Sequence, residues 1–267
     1  RILKGVPKSH VYRILRTGEI RVNSRRADAQ YRLAAGDRVR VPPIRTARPA
    51  SGVRNPPHKV LSPQVLFEDA FVLLLDKPAG MAVHGGSGIS RGVIEQLRAE
   101  RPELRFLELA HRLDRETSGV LMLAKKRSAL THLHAQMRDG AMDKRYLALV
   151  SGSWRNPVQH VQLPLHKYLT EDGERRVVVD EAGMPAHTVF RLRQSFADFT
   201  LLEAELKTGR THQIRVHLTS LGHPLLGDAT YGGQRRASTR VPPFHRQALH
   251  AERLALDHPV HGERMEW

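Results

Sequence analysis

The residues best suited to chemistry in this sequence form a run of nine, His111-Arg112-Leu113-Asp114-Arg115-Glu116-Thr117-Ser118-Gly119. The acid Asp114 stands between two arginines, Arg112 and Arg115, and a hydroxyl pair and a turn-forming glycine follow. The apolar segment 120–124 comes next and predicts a buried strand. We expect a carboxylate at the rim of that strand that stays ionised, because nearby cations favour its charged form. A turn residue or a surface ion pair is the alternative.

A second cluster covers residues 208–217, with the sequence TGRTHQIRVH, and begins where a predicted strand at 199–206 ends. Gly209 permits a turn, and a helix is predicted from residue 212. Arg210 would then lie near the start of this helix, at the sheet edge. There it could pair with a carboxylate on a neighbouring strand and fix that acid's direction. A purely structural ion pair is compatible with this interpretation.

Other candidate segments are less specific. The glycine-rich segment 76–88 could wrap a phosphate or be a plain surface loop, and its glycine spacing fits neither a dinucleotide motif nor a P-loop. Tyr146 opens a predicted strand and could stack on a base or pack in the core. The sequence has 16 histidines, but His212 and His217 would point about 140° apart on a helix, and no H-E-x-x-H occurs. We therefore predict no metal site.

The composition favours a polyanionic partner. Lys and Arg total 43 against 27 Asp and Glu, a net charge of +16 over 267 residues. Such a surface attracts nucleic acid, the commonest large polyanion. The absence of cysteine excludes disulfides and thiolate catalysis, and no apolar run approaches the roughly 20 residues that cross a bilayer. We expect a cytoplasmic protein without membrane contact.

The basic charge is concentrated in residues 1–48, which hold 13 Lys or Arg and 3 Asp or Glu. A short helix is predicted up to Thr17, and alternating patterns at 20–22, 31–33 and 38–41 predict three strands. Six cations are left for the solvent side of this αβ module: Lys8, Arg13, Arg16, Arg21, Arg25 and Arg26. We predict that they bind phosphates, although the module could also be a generic cap on a larger domain.

For the rest of the chain, the sequence predicts a linker followed by one large domain. Residues 49–62 contain prolines and small residues with little periodicity, which is typical of a tether. In 63–267 strand patterns outnumber helical ones. Strands are predicted at 65–67, 71–75, 119–125, 145–151, 176–179, 187–192, 199–206 and 252–256, and helices at 92–100, 127–138 and 212–221. Several strands are consecutive, so we predict an α+β domain with a mixed, mainly antiparallel β-sheet.

Three segments together resemble the signatures of RluA-family pseudouridine synthases. They are HRLDRETSG at 111–119, KPAG at 77–80 and GRTHQIRVH at 209–217. The resemblance spans nearly the whole chain. Residues 1–48 resemble the S4 RNA-binding module without its usual first helix. The segments 83–88 and 106–109 are most similar to the C type of the family, which modifies uridines of 23S ribosomal RNA.

This resemblance implies an isomerase that converts uridine in RNA to pseudouridine without a cofactor. The family's catalytic aspartate falls on Asp114, its active-site tyrosine on Tyr146 and its acid-pairing arginine on Arg210. Arg112 corresponds to the arginine that helps displace the target base. Asp114 would attack C1′ or remove the C2′ proton, and the sequence leaves both routes open.

Other functions stay open on the sequence alone. A transfer RNA target fits the same chemistry, since single-stranded context governs much RNA recognition. A non-catalytic RNA-binding factor in ribosome assembly could use the same fold. A glycoside or nucleoside hydrolase is disfavoured, because no second carboxylate near Asp114 stands out as its catalytic partner. We expect a monomer that binds 23S ribosomal RNA.

Overall fold

The computed structural model describes residues 8–42, 63–85, 91–171, 174–232 and 244–267. Contacts between Cα atoms divide the chain into two compact units, Arg1–Lys59 and Val60–Trp267. The predicted linker at 49–62 and the side chain of Lys8 lie outside the described residues. Within the described ranges, no helix is long and apolar enough to cross a membrane.

The smaller unit contains one helix and three two-residue strands. They are α1 (Lys8–Arg16), β1 (Arg21–Val22), β2 (Arg25–Arg26) and β3 (Val39–Arg40). The strands form one sheet in the order β2-β1-β3. Its small core holds Ile14, Ile20 and Val22, which are buried. The predicted helix and the first and third strands therefore exist, close to their expected positions.

The strand predicted at 31–33 is wrong. These residues lie outside any strand, and the side chains of Tyr31 and Leu33 are exposed. The partner of β1 is β2, which follows after only two residues. Those two, Asn23 and Ser24, have φ of 49° and 66°. Positive φ at both central residues is the geometry of a tight hairpin turn, so local turn chemistry decides the pairing here.

Five of the predicted RNA-binding cations have exposed side chains in the smaller unit, namely Arg13, Arg16, Arg21, Arg25 and Arg26. Arg13 lies 3.7 Å from the carboxylate of Glu19, a contact that is largely screened by solvent. Nη2 of Arg26 donates to the carbonyl oxygen of Thr17 at 3.1 Å. All five side chains are nevertheless accessible from solvent, and their role in binding RNA stays a prediction.

The larger unit contains three helices and twelve strands among the described residues. The helices are α2 (Val93–Glu100), α3 (Arg127–Arg138) and α4 (Gln213–Ser220). The strands are β4 (Gln64–Glu68), β5 (Val72–Lys77), β6 (Glu108–Leu109), β7 (Ser118–Ala124), β8 (Asp143–Ser151), β9 (Val158–Val161), β10 (Leu165–Leu169), β11 (Arg175–Val179), β12 (Thr188–Ser195), β13 (Phe199–Leu206), β14 (Leu249–Asp257) and β15 (Arg264–Glu266).

Ten of these strands form one sheet whose main path runs β4-β5-β7-β14-β8-β13-β12-β9. The pair β7–β14 is parallel, and the other pairs in the sheet are antiparallel. β10 and β11 form a separate antiparallel hairpin. The predicted α+β fold with a mixed, mainly antiparallel sheet is confirmed.

The sheet is buried on both faces at its centre. In β7, Leu121 and Leu123 pack into one hydrophobic cluster with Tyr146. The residues that alternate with them, Val120 and Met122, pack into a second cluster on the opposite face. This double burial explains why the segment is a continuous apolar run rather than an alternating one. The loop before β7, which contains Asp114, is therefore attached to a strand that is buried on both faces.

Candidate active site

A cleft of about 1160 Å³ opens on the larger unit. It is bounded by the loop before β7, the start of β8, the β10–β11 hairpin and the start of α4. Nine cations line it: Arg112, Arg115, Arg138, Lys144, Lys167, Arg175, Arg176, Arg210 and Arg215. Among the described residues around the cleft, Asp114 supplies the one carboxylate. The cleft therefore has a positive potential that favours phosphate groups.

Asp114 lies in the loop between β6 and β7, and the backbone holds this loop tightly. The N–H of Thr117 donates to the carbonyl oxygen of Asp114 at 3.1 Å. Gly119 has φ of +106°, and a Cβ at this position would collide with the carbonyl oxygen of Ala251 on β14. Only glycine fits both the backbone angle and the close approach of the two strands. The loop is thus fixed to the centre of the sheet.

The carboxylate of Asp114 is held by Arg215. Nη1 of Arg215 lies 2.8 Å from Oδ2 of Asp114, and the side chains are 7% and 27% exposed. The remaining edge of the guanidinium makes two bonds of 2.8 and 2.9 Å to Asp228. Burial lowers the pKa of Arg215, but bonding to Asp228 and then the charge of Asp114 outweigh this effect and raise it. The planar bidentate contact fixes the direction from which Arg215 reaches Asp114.

Asp228 is itself held by the backbone that follows it. Its Oδ1 accepts hydrogen bonds from the N–H groups of Thr230 and Tyr231, at 2.9 and 3.1 Å. Burial raises the pKa of Asp228, and the bond from Arg215 reverses this effect, so that the pKa is lowered overall. A buried carboxylate with this many donors is ionised and rigid.

The prediction that Arg210 pairs with the acid is wrong. Nε of Arg210 donates to the carbonyl oxygen of Pro185 at 3.0 Å, and the side chain is exposed at the cleft. Gln213 accepts the backbone N–H of Arg210 at 2.9 Å and thereby fixes the turn before α4. Because the helix starts after this turn, its first turn carries Arg215 toward Asp114, while Arg210 remains at the rim.

His212 is a second neighbour of the acid that the sequence did not single out. Its Nε2 lies 3.8 Å from Oδ1 of Asp114, and its Nδ1 lies 2.8 Å from the hydroxyl of Tyr231. That hydroxyl accepts the N–H of Val177 at 3.0 Å. Burial lowers the pKa of His212, although Asp114 opposes the shift, so the imidazole is neutral at pH 7. The residue adopts φ of 53°, an uncommon conformation for a non-glycine residue.

Tyr146 forms part of the cleft wall, as its predicted role requires. The residue is 7% exposed and packs in the main hydrophobic cluster. Burial, and next the charge of Asp114, raise the pKa of Tyr146, so its phenol keeps its proton. Arg112 is exposed at the same cleft. Both residues are brought to Asp114 by the fold, and their functions stay predictions.

Lys77 ties the glycine-rich segment to the loop of Asp114. The side chain is fully buried, and Nζ donates to the carbonyl oxygens of Pro78, Met81 and Arg115 at 2.9, 2.9 and 3.1 Å. Burial lowers the pKa of Lys77 to about 8, although the carboxylates of Glu116 and Asp114 act in the opposite direction. This lysine is an internal clamp, and residues 86–88 of the segment lie outside the described residues.

Sequence reasoning therefore missed Arg215, Asp228, His212, Tyr231 and Lys77. Two of them, His212 and Arg215, stand in the motif GRTHQIRVH, where the choice among four basic side chains depends on where the helix begins. Asp228 and Tyr231 lie in a loop without periodicity. For Lys77 a signal existed, since a lysine at the end of an apolar strand has to find buried acceptors.

The family model described as RNA pseudouridylate synthase matches residues 71–220, which include Asp114, Tyr146 and Arg215. The chain belongs to the RNA pseudouridylate synthase family. It is an RNA pseudouridine synthase, and its resemblance to the RluA family is confirmed.

Similar proteins include ribosomal large subunit pseudouridine synthase C of Escherichia coli (strain K12), which is 52% identical over 98% of this chain and 84% of its own length. The protein of that name from Yersinia pestis is 53% identical over 98% of this chain and 83% of its length. Among solved structures, human RNA pseudouridylate synthase domain containing 1 has a TM-score of 0.62 and 26% identity. The match covers 77% of this chain and 82% of the human one.

Proposed function

We propose that this RNA pseudouridine synthase modifies uridines of large-subunit ribosomal RNA, that is, 23S RNA, and that Asp114 starts the reaction. The carboxylate of Asp114, held at 2.8 Å by Arg215 in a cleft lined by cations, is the observation that carries the proposal. The ribosomal target is supported by the names of relatives that share about half of their residues with this chain over most of its length.

The reaction moves one bond and leaves the atom count unchanged. The N1–C1′ bond of the uridine breaks, a C5–C1′ bond forms, and the proton lost from C5 is balanced by one gained at N1. An ionised carboxylate can start this sequence by attack on C1′ or by removal of the C2′ proton. Asp114 suits either route because Arg215 orients it and occupies only one of its oxygens.

The target base has to leave its stack before Asp114 can reach the sugar, which costs a few kcal/mol. Tyr146 presents an apolar ring at the cleft on which the displaced base can stack. Arg112, exposed at the rim, would occupy the gap in the RNA. Contacts of the basic lining residues with phosphates would offset the cost, and the exposed arginines of residues 8–42 would add to them.

We propose that the enzyme acts as a monomer, since one chain supplies Asp114, Arg215, Asp228 and Tyr146. A cytoplasmic place of action follows from a ribosomal RNA substrate. Asp114 distinguishes this proposal from a non-catalytic assembly factor, which needs no oriented acid in its RNA cleft.

The test maps pseudouridines in the ribosomal and transfer RNA of a strain that lacks the gene, complemented with wild type, Asp114→Asn or Asp139→Asn. We expect specific 23S sites to lose modification in the deletion strain and in Asp114→Asn. Asp139 is exposed outside the cleft, so Asp139→Asn serves as the matched control and should restore them. Sites lost only in transfer RNA would refute the ribosomal target, and full modification by Asp114→Asn would refute the role of the acid.

A further inference from the structure

β8 opens with three charged residues, Asp143, Lys144 and Arg145, whose side chains alternate between the two faces of the sheet. The outer two are paired on one face. Nε of Arg145 lies 3.0 Å from Asp143, and its Nη1 lies 3.1 Å from the buried carboxylate of Glu203. Lys144 alternates with them and lines the cleft, on the strand face that carries Tyr146. The cation that faces the cleft is therefore set apart from the ion pairs behind it.

Lys144 has no acceptor of its own among the residues that the structure describes. Neither a carboxylate nor a carbonyl oxygen in these ranges forms a hydrogen bond or ion pair with its ammonium group. Lys77 shows how the fold satisfies a lysine that is purely structural, with three carbonyl oxygens around one Nζ. Burial lowers the pKa of Lys144, and no neighbouring acid opposes it. The Nζ of Lys144 is not among the fully buried unpaired atoms of these ranges, so water can reach it in the free protein. RNA that covers this partly buried ammonium would have to replace that water, and an anionic group does so best.

The cleft residues Arg138 and His111 are cationic and neutral, respectively. Arg138, in the last turn of α3, also lines the cleft and is exposed. Burial, and next the charge of Lys144, lower the pKa of His111 to about 4, so this imidazole is neutral. Nε2 of His111 accepts the backbone N–H of Met122 at 3.1 Å and is thus already engaged. Among the described residues, Lys144 is therefore a cation of the cleft that has no acidic neighbour.

We propose that Lys144 forms a subsite for one phosphate group of the RNA strand, adjacent to the target nucleotide. The inference rests on the proposed function, in which the target base lies against Tyr146. Lys144 is two residues from Tyr146 on the same face of a strand, about 7 Å away, a spacing comparable to one nucleotide of an extended strand. A phosphate fits better than a uracil carbonyl, because a partly buried ammonium that RNA covers further needs a full countercharge.

The test measures binding of wild type and variants to synthetic RNA centred on a mapped target uridine. The RNA carries pseudouridine at that position, so that nothing is turned over. We expect Lys144→Met to weaken binding about tenfold, and to reduce the slope of log affinity against log salt by about 0.7, the value for one phosphate of a single strand. Lys144→Arg should keep most of the slope. Arg105→Met is the matched control and should change neither quantity, because Arg105 is exposed outside the cleft.

A second measurement identifies the phosphate. Each phosphate near the target is replaced in turn by a neutral methylphosphonate. We expect one replacement to weaken wild type about tenfold and to leave Lys144→Met unaffected, since the partner is already absent. Wild-type affinity and slope in Lys144→Met, or a wild-type response of that variant to every methylphosphonate, would overturn the subsite. Thermal unfolding checks each variant, and Lys144→Gln replaces the methionine variant if that one does not fold. The proposed function is tested separately by mapping the pseudouridines that wild type forms, so its failure can be distinguished from failure of the subsite.

Discussion

The buried ion pair behind the active site gives a sharp test of how Asp114 is held. Asp228→Asn keeps the size of the side chain but removes its charge and places an amide group against the donors of Arg215. Asp228 does not line the cleft, so the substitution leaves the groups that meet RNA in place. An effect on the reaction would therefore pass through the groups that Asp228 holds, which are chiefly Arg215 and also the backbone of Thr230 and Tyr231.

The size of the effect follows from burial and from the contacts that are lost. The side chains of Arg215 and Asp228 are 7% and 2% exposed, so solvent does little to screen the broken pair. Breaking a buried pair by removing one partner costs about 3–5 kcal/mol. The remaining bond to Asp114 compensates in part, so we expect a loss of about 3 kcal/mol in the free energy of unfolding. A displacement of about 1 Å in a catalytic group costs on the order of 100-fold in rate.

The assay combines urea unfolding with single-turnover formation of pseudouridine at saturating RNA. We expect Asp228→Asn to lower the maximal rate about 100-fold, with a much smaller change in the RNA concentration that gives half of it. Asp139→Asn is the control for the loss of an exposed carboxylate and should match wild type. If Asp228→Asn keeps both its rate and its stability within error of wild type, the pair with Arg215 does not position Asp114.

Three further substitutions test other parts of the structure. His111 has a pKa of about 4 in the folded state against 6.5 when unfolded, so the unfolded state binds more protons between these values and stability falls as the pH drops through this window. Urea unfolding should show that wild type loses on the order of 2 kcal/mol more than His111→Gln between pH 7 and pH 5, and equal losses would contradict the assignment. Gly119→Ala should destabilise the fold by at least about 2 kcal/mol through positive φ and collision with Ala251, whereas Gly140→Ala, at φ of +72° with open space around it, should cost about 1 kcal/mol or less; equal costs would show that the close approach is unimportant. Lys77→Met leaves three carbonyl oxygens without their donor and should cost about 2–3 kcal/mol in urea unfolding together with a loss of activity, and a variant as stable and active as wild type would show that the clamp is dispensable.

Much of the fold could be predicted because its strongest sequence patterns follow directly from which faces of the strands and helices are buried. The run at 120–124 is apolar throughout since both faces of β7 are covered, and the amphipathic pattern at 127–138 corresponds to the bounds of α3. β10 was missed because four of its five residues are exposed and its sequence, LHKYL, has no regular apolar alternation. Its pairing with β11 depends on contacts across a turn.

The candidate site was predicted only where one local segment carries it. The residues next to Asp114 in the sequence indicate that it is a reactive acid. Its ionic partner, however, lies 101 positions away in the sequence. The choice between Arg210 and Arg215 depends on the residue at which α4 begins and on the bond that Gln213 makes to the turn. Neither is a property of residue type or spacing. The supporting loop of Asp228 and Tyr231 is positioned by tertiary contacts that no periodic pattern records.

The place of β14 in the sheet has a consequence for biosynthesis. β14 lies between β7 and β8, although residues 249–257 are translated after every other strand on the main path of the sheet. Until β14 inserts, the sheet is in two parts, one made of β4, β5 and β7 and the other of β8, β13, β12 and β9. Asp114 precedes β7 in the first part. Tyr146 lies on β8 in the second part, and Arg215 follows β13. A nascent chain that lacks β14 therefore has no complete sheet to hold Asp114 next to Arg215. We expect RNA modification to begin only after this strand has been synthesised.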